Sequence, residues 1–471
     1  MGSDKTASPS REQFASRLGF ILVSAGCAVG LGNVWRFPYI TGEYGGAAFV
    51  LMYIIFLAVF TLPILIMEFA VGRAAKKGMA RCYDALEPAG TKWHRYKYLG
   101  IAGNYLLMMF YTVVAGWMLA FTVKMATGQL VGVSSDQAAN VFADMLANPA
   151  EMLVYMFITV VLGVVVCLRG LQGGVEKVTK VMMAALFVIL AILVVRAVTL
   201  PGAADGLAFY LVPDFSNLVG DGIMDTAEAV YAAMGQAFFT LSVGIGSMTI
   251  FGSYMSRDRS ISGEAVRIAG VDTLVAVMAG LIIFPSCFAF GVEPDSGPSL
   301  VFITLPNVFG MMPAGRLWGT LFFLFMAFAA LSTVIAVFEN IMSFSIDLWG
   351  TSRTKSCLVN GVLLFVLSLP CLLGFNVLSD VVIPGIGDIQ SFEDFLVSNN
   401  ILPLGGLIIL LFCTRKKAWG FDNFLVEADQ GQGLKFPKWA RAYLTYVLPI
   451  LIIIVLIGGW LPVIQTWLGM A

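Results

Sequence analysis

Long apolar runs alternate with short polar loops along almost the whole chain. Eleven runs approach or exceed the roughly 20 residues that an α-helix needs to cross a hydrocarbon layer about 30 Å thick. The pattern therefore predicts an all-α polytopic membrane protein with eleven transmembrane helices. In chain order, spans 1 to 11 are predicted at 18–40, 46–71, 98–125, 152–168, 175–198, 227–255, 266–290, 316–345, 356–374, 394–413 and 441–461.

Glycines interrupt two of these runs near their middle. Gly26 and the motif Val29-Gly30-Leu31-Gly32 lie in span 1, and Val243-Gly244-Ile245-Gly246 repeats that motif in span 6. Each glycine weakens a helix by about 1 kcal/mol relative to alanine. One such motif alone would favour a close helix contact. Two copies five spans apart, and so of opposite orientation, instead predict a 5+5 inverted repeat with spans 1 and 6 unwound at the midplane.

Polar side chains lie beside both interruptions. Asn33 follows the first, and Gln236, Thr240 and Ser242 lie at the second. Unwound backbone offers carbonyl groups to a cation and free N–H groups to an anion. Oxygen ligands without histidine or thiolate indicate a hard cation such as Na⁺. A cation held beside a carboxylate predicts an amino-acid-like substrate co-transported with Na⁺.

Three further polar residues lie inside apolar runs. A carboxylate such as Asp272 in span 7 costs roughly 2.5–3.5 kcal/mol in a membrane, so we expect it to have a cationic partner. The alternatives for Asp272 are a hydrogen-bonding hub or a position near the start of the helix. Ser332 and Thr333 in span 8 are adjacent hydroxyls that could bind a cation, or could bond to the preceding helical turn.

Composition and charge agree with a membrane location. Of 471 residues, 59% are hydrophobic and 12% are charged, about half the charged fraction of a soluble protein. Lysine and arginine collect in the loops after even-numbered spans, and acidic residues in those after odd-numbered spans. The positive-inside rule then predicts a cytoplasmic N-terminus and a C-terminus outside or in the periplasm. Because the chain has no N-glycosylation motif, a bacterial inner membrane is the simplest location.

The sequence disfavours other functional classes. His94 is the only histidine, and no nucleophile and base accompany it, so we do not expect an enzyme. Nothing suggests a nucleic-acid ligand or an obligate protein partner. A channel would need a continuous polar pore. An amino-acid sensor that binds without transporting is the main alternative, although the cytoplasmic segments are too short for a signalling domain.

Three motifs resemble the neurotransmitter:sodium symporters, whose bacterial amino-acid members have the leucine-transporter fold. The similarity extends from about Arg11 through span 10. It implies a sodium-coupled symporter that imports a zwitterionic, hydrophobic or aromatic L-amino acid by alternating access. The motifs are Ala28-Val29-Gly30-Leu31-Gly32-Asn33-Val34-Trp35-Arg36-Phe37-Pro38, Glu68-Phe69-Ala70-Val71-Gly72-Arg73 and Gly235-Gln236-Ala237-Phe238-Phe239-Thr240-Leu241-Ser242-Val243-Gly244.

The resemblance also implies a division of the chain. Residues 1–17 would form a cytoplasmic segment with inner-gate residues, and 199–226 an extracellular loop between the two repeats. The first repeat would be 18–198 and the second 227–413. A cytoplasmic loop at 414–440 would lead to 441–471, which holds span 11 and the extracellular C-terminus.

Two sodium sites are implied by the same resemblance. The first would use Ala28, Asn33, Thr240, Asp272 and the carboxylate of the substrate. The second would use backbone carbonyls and two hydroxyls, from Gly26, Val29, Ala329, Ser332 and Thr333.

The substrate pocket and two gates follow in the same way. The pocket would be lined by Ala28, Gly30, Leu31, Gly32, Leu107, Tyr111, Phe239, Thr240, Ser242, Ile245, Thr333 and Val337, with Tyr111 binding the carboxylate. At the outer gate Arg36 would pair with Asp394 and Phe239 would cover the substrate. At the inner gate Arg11 would pair with Asp347, near Tyr254 and Phe14.

Three departures from the family pattern modify these expectations. Asp272 replaces the usual Asn, and Ala276 stands where chloride-dependent relatives have Ser, so we expect no Cl⁻ requirement. Ala184 stands at the family's helix-breaking proline position in span 5, after Gly174, which puts a proline-assisted inner release route in doubt. The twelfth span of many relatives is absent, as in other bacterial members.

Overall fold

The computed structural model describes residues 12–216, 223–292 and 300–469 and is helical throughout, with only two isolated β-bridges in that part of the chain. Nine of the described helices are long and apolar enough to cross a membrane, and a bent pair makes a tenth. The structure therefore confirms a polytopic all-α protein. The remaining predicted segment, span 6, is not among these ten.

The observed helices agree with the predicted spans to within a few residues. Span 1 is the bent pair Arg17–Ala28 and Gly32–Glu43. The segment predicted as span 6 is the pair Ile223–Thr240 and Ser247–Ser253. The other nine are Ala47–Ala75, Trp93–Thr127, Pro149–Leu168, Leu171–Val198, Ile261–Ala289, Gly315–Trp349, Arg353–Leu373, Ile389–Thr414 and Ala440–Trp467, which keep the numbers of spans 2 to 5 and 7 to 11.

Both breaks fall where glycines were found in the sequence. In span 1 the two helices meet at an angle of 58°. In span 6 the six residues 241–246 separate the helices, and Ser242, Gly244 and Gly246 there have φ angles of 50°, 95° and 80°. A side chain at Gly244 would collide with the backbone of Leu402, since an added Cβ would lie 2.2 Å from that carbonyl oxygen. Positive φ without a steric cost is the property of glycine that this turn uses.

Span 8 forms the centre of the bundle. In its most apolar window 83% of the residues are buried, against 33% in span 11. Span 8 packs along span 3 and also against spans 1, 4 and 5. Residues in span 8 therefore face protein on nearly all sides, whereas span 11 presents most of its surface to lipid.

The loops contain short helices that the hydropathy pattern did not predict. Ala203–Leu211 lies in the loop predicted at 199–226, and Tyr210 from it stacks on Phe284 of span 7 with ring centroids 4.9 Å apart. Phe421–Ala428 lies in the loop at 414–440. It is tied to span 2 by a buried ion pair, in which the guanidinium of Arg73 donates to Glu427 at 2.7 Å.

Candidate substrate and cation sites

The break in span 1 brings backbone and side chains from three spans together at Gly30. The hydroxyl of Tyr111, on span 3, accepts a hydrogen bond from the backbone N–H of Leu31 at 3.1 Å. A Cβ on Gly30 would lie 2.4 Å from the Tyr111 hydroxyl and 2.8 Å from Oγ1 of Thr333. Glycine is therefore required here so that the two hydroxyls can approach bare backbone.

On one side of Gly30 lies a group of neutral oxygens that we term the Thr333 cluster, made of Thr333, Ser332 and the carbonyls of Gly26, Val29 and Ala329. Oγ1 of Thr333 lies 3.3 Å from the Gly26 carbonyl oxygen, 3.2 Å from that of Val29 and 3.5 Å from that of Ala329. The hydroxyl of Ser332 donates to Ala329 at 2.8 Å. All five predicted members of the second sodium site thus lie together.

The Thr333 cluster has more hydrogen-bond acceptors than donors. A threonine hydroxyl carries one proton and can satisfy only one of the surrounding carbonyls at a time. Both hydroxyls are at most 4% exposed, so water cannot readily supply the rest. Carbonyl and hydroxyl oxygens in this arrangement fit a hard cation such as Na⁺. Both hydroxyls also lie within hydrogen-bonding distance of the Ala329 carbonyl oxygen in their own helix, Ser332 at 2.8 Å and Thr333 at 3.5 Å, so the alternative role of bonding to the preceding turn is present in both.

On the other side of Gly30 lies the Asp272 cluster, made of Asp272, Asn33 and Thr240. Thr240 donates to Oδ2 of Asp272 at 2.8 Å, and Nδ2 of Asn33 donates to Oδ1 at 2.9 Å. Asp272 is fully buried. No lysine, arginine or histidine pairs with it in the described part of the chain, so the expected cationic partner is not a side chain of those residues.

The orientation of Asn33 bears on how this cluster could hold a cation. Its Oδ1 accepts the backbone N–H of Gly30 at 3.2 Å, which leaves the amide nitrogen facing Asp272. An NH₂ group cannot ligate a cation. Turning the carboxamide over would present its oxygen to the site beside the carboxylate of Asp272, and these are ligands that suit Na⁺.

A small cavity lies beside Gly30 and Thr333. Its volume is about 20 Å³, room for about one water molecule. Thr240 and Val337 do not line it. Leu402 of span 10 does, although no motif in the sequence distinguishes that leucine. Ten of the twelve predicted pocket residues line it: Ala28, Gly30, Leu31, Gly32, Leu107, Tyr111, Phe239, Ser242, Ile245 and Thr333.

A larger cavity of about 430 Å³ lies above the small one and shares Leu31, Tyr111 and Phe239 with it. Arg36 and Asp394 both line this vestibule. Neither takes part in an ion pair within the described residues; the guanidinium of Arg36 instead lies 5.0 Å from the ring centroid of Phe239. The two predicted gate residues therefore face one cavity without touching, and Phe239 separates the vestibule from the pocket.

Two polar side chains form hydrogen bonds with backbone groups at the two breaks. Glu68 of span 2 accepts the backbone N–H of Gly244 at 3.3 Å. Gln236 of span 6 donates to the carbonyl oxygen of Gly32 at 2.9 Å. Both side chains are buried; Glu68 bonds to a backbone N–H within the break of span 6, and Gln236 gives the Gly32 carbonyl oxygen a second donor besides the N–H of Phe37.

At the predicted inner gate, Asp347 accepts the backbone N–H of Gly78 at 3.0 Å. Arg11 lies outside the described residues. The hydroxyl of Tyr254 donates to the buried carboxylate of Glu339 at 3.0 Å, and the ring of Phe14 packs edge-on against Tyr254.

The partners of this inner group, Glu339 and Arg353, were not among the residues predicted from the sequence. Glu339 also pairs with Arg353, whose guanidinium donates to the carbonyl oxygen of Cys167 at 2.7 Å. A carboxylate within an apolar run is the same indication that singled out Asp272. It would have identified Glu339 as well.

Comparison with known proteins decides which transporter family shares this arrangement. The family model described as "Sodium:neurotransmitter symporter family" matches residues 11–143 and 137–466. The chain belongs to the sodium:neurotransmitter symporter family. The family is one of transporters, and the prediction made from the three motifs is confirmed.

Relatives within this family cover nearly the whole chain. An uncharacterised sodium-dependent transporter of Bacillus subtilis is 37% identical over 449 residues, which are 95% of this chain and 97% of the relative. The human sodium- and chloride-dependent taurine transporter is 26% identical, over 94% of this chain and 77% of its own length. The crystal structure of MhsT in complex with L-phenylalanine superposes with a TM-score of 0.84 at 38% identity, covering 95% of this chain and all of MhsT.

Proposed function

We propose that this member of the sodium:neurotransmitter symporter family is a symporter that couples two sodium ions to the import of a zwitterionic amino acid. The observation that carries the proposal is the pair of buried oxygen clusters on either side of Gly30. Among the described residues the Asp272 cluster holds a carboxylate without a cationic side chain, and in the Thr333 cluster three carbonyl oxygens share the single proton of the Thr333 hydroxyl. A sodium ion would neutralise the carboxylate in the first cluster and would be coordinated by the neutral oxygens of the second.

The small cavity is the proposed substrate site. The α-carboxylate would lie near Tyr111 and the start of the second half of span 1, where N–H groups favour an anion. The apolar side chains of Leu107, Ile245 and Leu402 would surround a hydrophobic or aromatic side chain. The similarity to MhsT, described with L-phenylalanine, supports this choice. Because the cavity holds only about 20 Å³, substrate entry requires Phe239 and its neighbours to move.

Transport would proceed by alternating access in an eleven-span bundle with the two repeats at 18–198 and 227–413. The vestibule beside Arg36 and Asp394 would be the outer entrance, closing when these two side chains pair. Opening of the inner side would break the Arg11–Asp347 contact and the network around Tyr254. The basic loops would lie in the cytoplasm, with the protein in a bacterial inner membrane.

The membrane potential alone would supply enough free energy for the substrate to accumulate inside the cell. Moving one charge through the membrane potential releases about 2.3 kcal/mol per 100 mV. Two sodium ions with a neutral substrate would therefore supply roughly 4.6 kcal/mol, or about three decades of concentration ratio, before any sodium gradient is counted.

Uptake into proteoliposomes tests this proposal. With sodium outside and a negative interior, labelled phenylalanine or leucine should accumulate, and replacing sodium by choline should abolish accumulation. Equal uptake in choline would contradict the sodium coupling. Sodium-dependent binding without uptake would indicate the sensor alternative, which the sodium-dependent transporters among the relatives do not favour. Competition by each of the twenty amino acids would identify the preferred substrate.

A further inference from the structure

A cavity of about 770 Å³ lies far from the substrate site, where three spans end on the side of the basic loops. Trp93 marks the start of span 3, Thr414 the end of span 10, and Arg441 and Ala442 the start of span 11. Because helix ends of membrane spans lie at the lipid headgroups, this cavity lies at the height of the membrane interface.

Four cationic side chains line the cavity, and no acidic one does. Arg441 is partly neutralised, since it pairs with Asp422 at 3.0 Å and lies over the ring of Phe421. The consecutive cations Arg415, Lys416 and Lys417 are exposed and form no ion pair within 12–216, 223–292 and 300–469. The cavity therefore holds about three uncompensated positive charges.

Aromatic side chains complete the lining. Trp439 is 81% exposed and Tyr446 is 66% exposed. Trp93 is partly buried and its ring lies 5.6 Å from that of Phe412 in span 10. Tryptophan and tyrosine at this depth are typical of the membrane–water interface, because their rings contact acyl chains while their polar atoms reach headgroups. Below Tyr446, span 11 presents Ile450, which is 59% exposed, to the lipid.

We propose that this cavity is a binding site for the headgroup of an anionic phospholipid. Its phosphate would be held by Arg415, Lys416 and Lys417, and its acyl chains would lie along the apolar face of span 11. Basic pockets between membrane helices on the cytoplasmic side have this recognition chemistry. A phospholipid satisfies both the uncompensated charge and the apolar surface beside it, whereas a soluble anion would satisfy only the first.

Native mass spectrometry of the full-length protein tests the proposal. Purified protein is titrated with phosphatidylglycerol or with phosphatidylcholine of the same acyl chains, and the population carrying one lipid is measured. We expect phosphatidylglycerol to bind in preference. Replacing Arg415, Lys416 and Lys417 together by Gln should weaken its binding by about fivefold for each charge, or about 100-fold in all.

A matched triple variant distinguishes a site from general surface charge. Lys92, Lys355 and Lys438 are exposed cations on the same side that do not line the cavity, and their replacement by Gln removes the same charge. This variant should keep phosphatidylglycerol binding within about twofold of the original protein.

Three results would overturn the proposal. One is equal weakening in both triple variants, which would mean diffuse attraction. Another is equal binding of phosphatidylglycerol and phosphatidylcholine by the unaltered protein, a comparison that needs no variant. The third is displacement of the lipid by glycerol phosphate at equal concentration, which would assign the cavity to a soluble anion.

Discussion

The two candidate cation sites lie on opposite sides of the same glycine but differ in chemistry. The Asp272 cluster contains a formal negative charge, and its three side chains already satisfy one another through bonds of 2.8–3.3 Å. The Thr333 cluster contains only neutral oxygens, held at 3.2–3.5 Å from a single hydroxyl. The side chains of the Asp272 cluster thus form a hydrogen-bond network without a cation, whereas the Thr333 hydroxyl makes only long contacts with the carbonyl oxygens around it.

Because their chemistry differs, the two sites would depend on sodium in different ways. In the Asp272 cluster a cation must compete with Asn33 and Thr240 for the carboxylate, but it gains a full charge interaction in a buried setting. In the Thr333 cluster a cation would displace only weak hydrogen bonds, and it would gain interactions with carbonyl and hydroxyl dipoles but with no full charge. We therefore expect that removing the charge of Asp272 weakens sodium binding more than removing one ligand from the Thr333 cluster.

The largest effect is expected for Asp272→Asn. Loss of the buried charge should weaken sodium binding by about 100-fold or more, since a buried charge pair that loses one partner costs about 3–5 kcal/mol. Sodium-dependent uptake and isothermal titration with sodium measure it. The control is Asp136→Asn, because Asp136 is an exposed residue in a loop helix. This variant should change neither the uptake nor the sodium affinity. Unchanged sodium affinity in Asp272→Asn would show that this carboxylate is structural only.

Gly30→Ala should disturb the Thr333 cluster and the Tyr111 hydroxyl at once. The added methyl group would overlap the hydroxyls of Tyr111 and Thr333. Such overpacking costs about 1–3 kcal/mol, so substrate affinity should fall by about 5- to 150-fold. A scintillation proximity assay with labelled substrate measures it. Gly235→Ala is the matched control, because a Cβ there meets nothing within 4 Å. If both variants bound substrate normally, the close contact at Gly30 would have no functional role.

Thr333→Val should have a smaller effect that is confined to the neutral site. The side chain keeps its shape but loses one ligand to the cation, which should weaken sodium binding by about tenfold. Thr320→Val is the control on the same span, since within the described part of the chain the Thr320 hydroxyl bonds only to the carbonyl of Arg316 in its own helix. An equal loss in both variants would attribute the effect to span 8 in general. The sodium dependence of uptake measures both.

Replacing chloride by gluconate should have the smallest effect. If Asp272 supplies the negative charge that chloride supplies elsewhere, uptake should stay within about twofold, since no bound anion is lost. The same exchange in Asp272→Asn should reduce the remaining uptake. Chloride dependence of the unaltered protein would instead align it with its relatives described as sodium- and chloride-dependent transporters.

Much of the fold could be predicted from the sequence because membrane helices follow from local composition. Ten of the eleven predicted segments appear as apolar helices or a bent pair, and both glycine motifs coincide with interruptions of helix. Short helices such as Ala203–Leu211 and Phe421–Ala428 were missed because their length and polarity resemble those of loops. Leu402 was missed because nothing distinguishes one leucine from its neighbours in an apolar run.

The predicted membrane crossings, helix interruptions and buried polar residues follow from the composition of one or two helical turns, so the linear pattern was enough to locate them. Which of these residues meet depends on the three-dimensional packing. Thr333 lies 307 residues from Gly26 and Asn33 lies 239 from Asp272, separations that no local pattern encodes. The packing also decided that Arg36 and Asp394 stand apart, that Asn33 turns its amide nitrogen to Asp272, and that Tyr254 bonds to Glu339. Such pairings depend on the packing of whole spans, which balances contacts from every part of the chain.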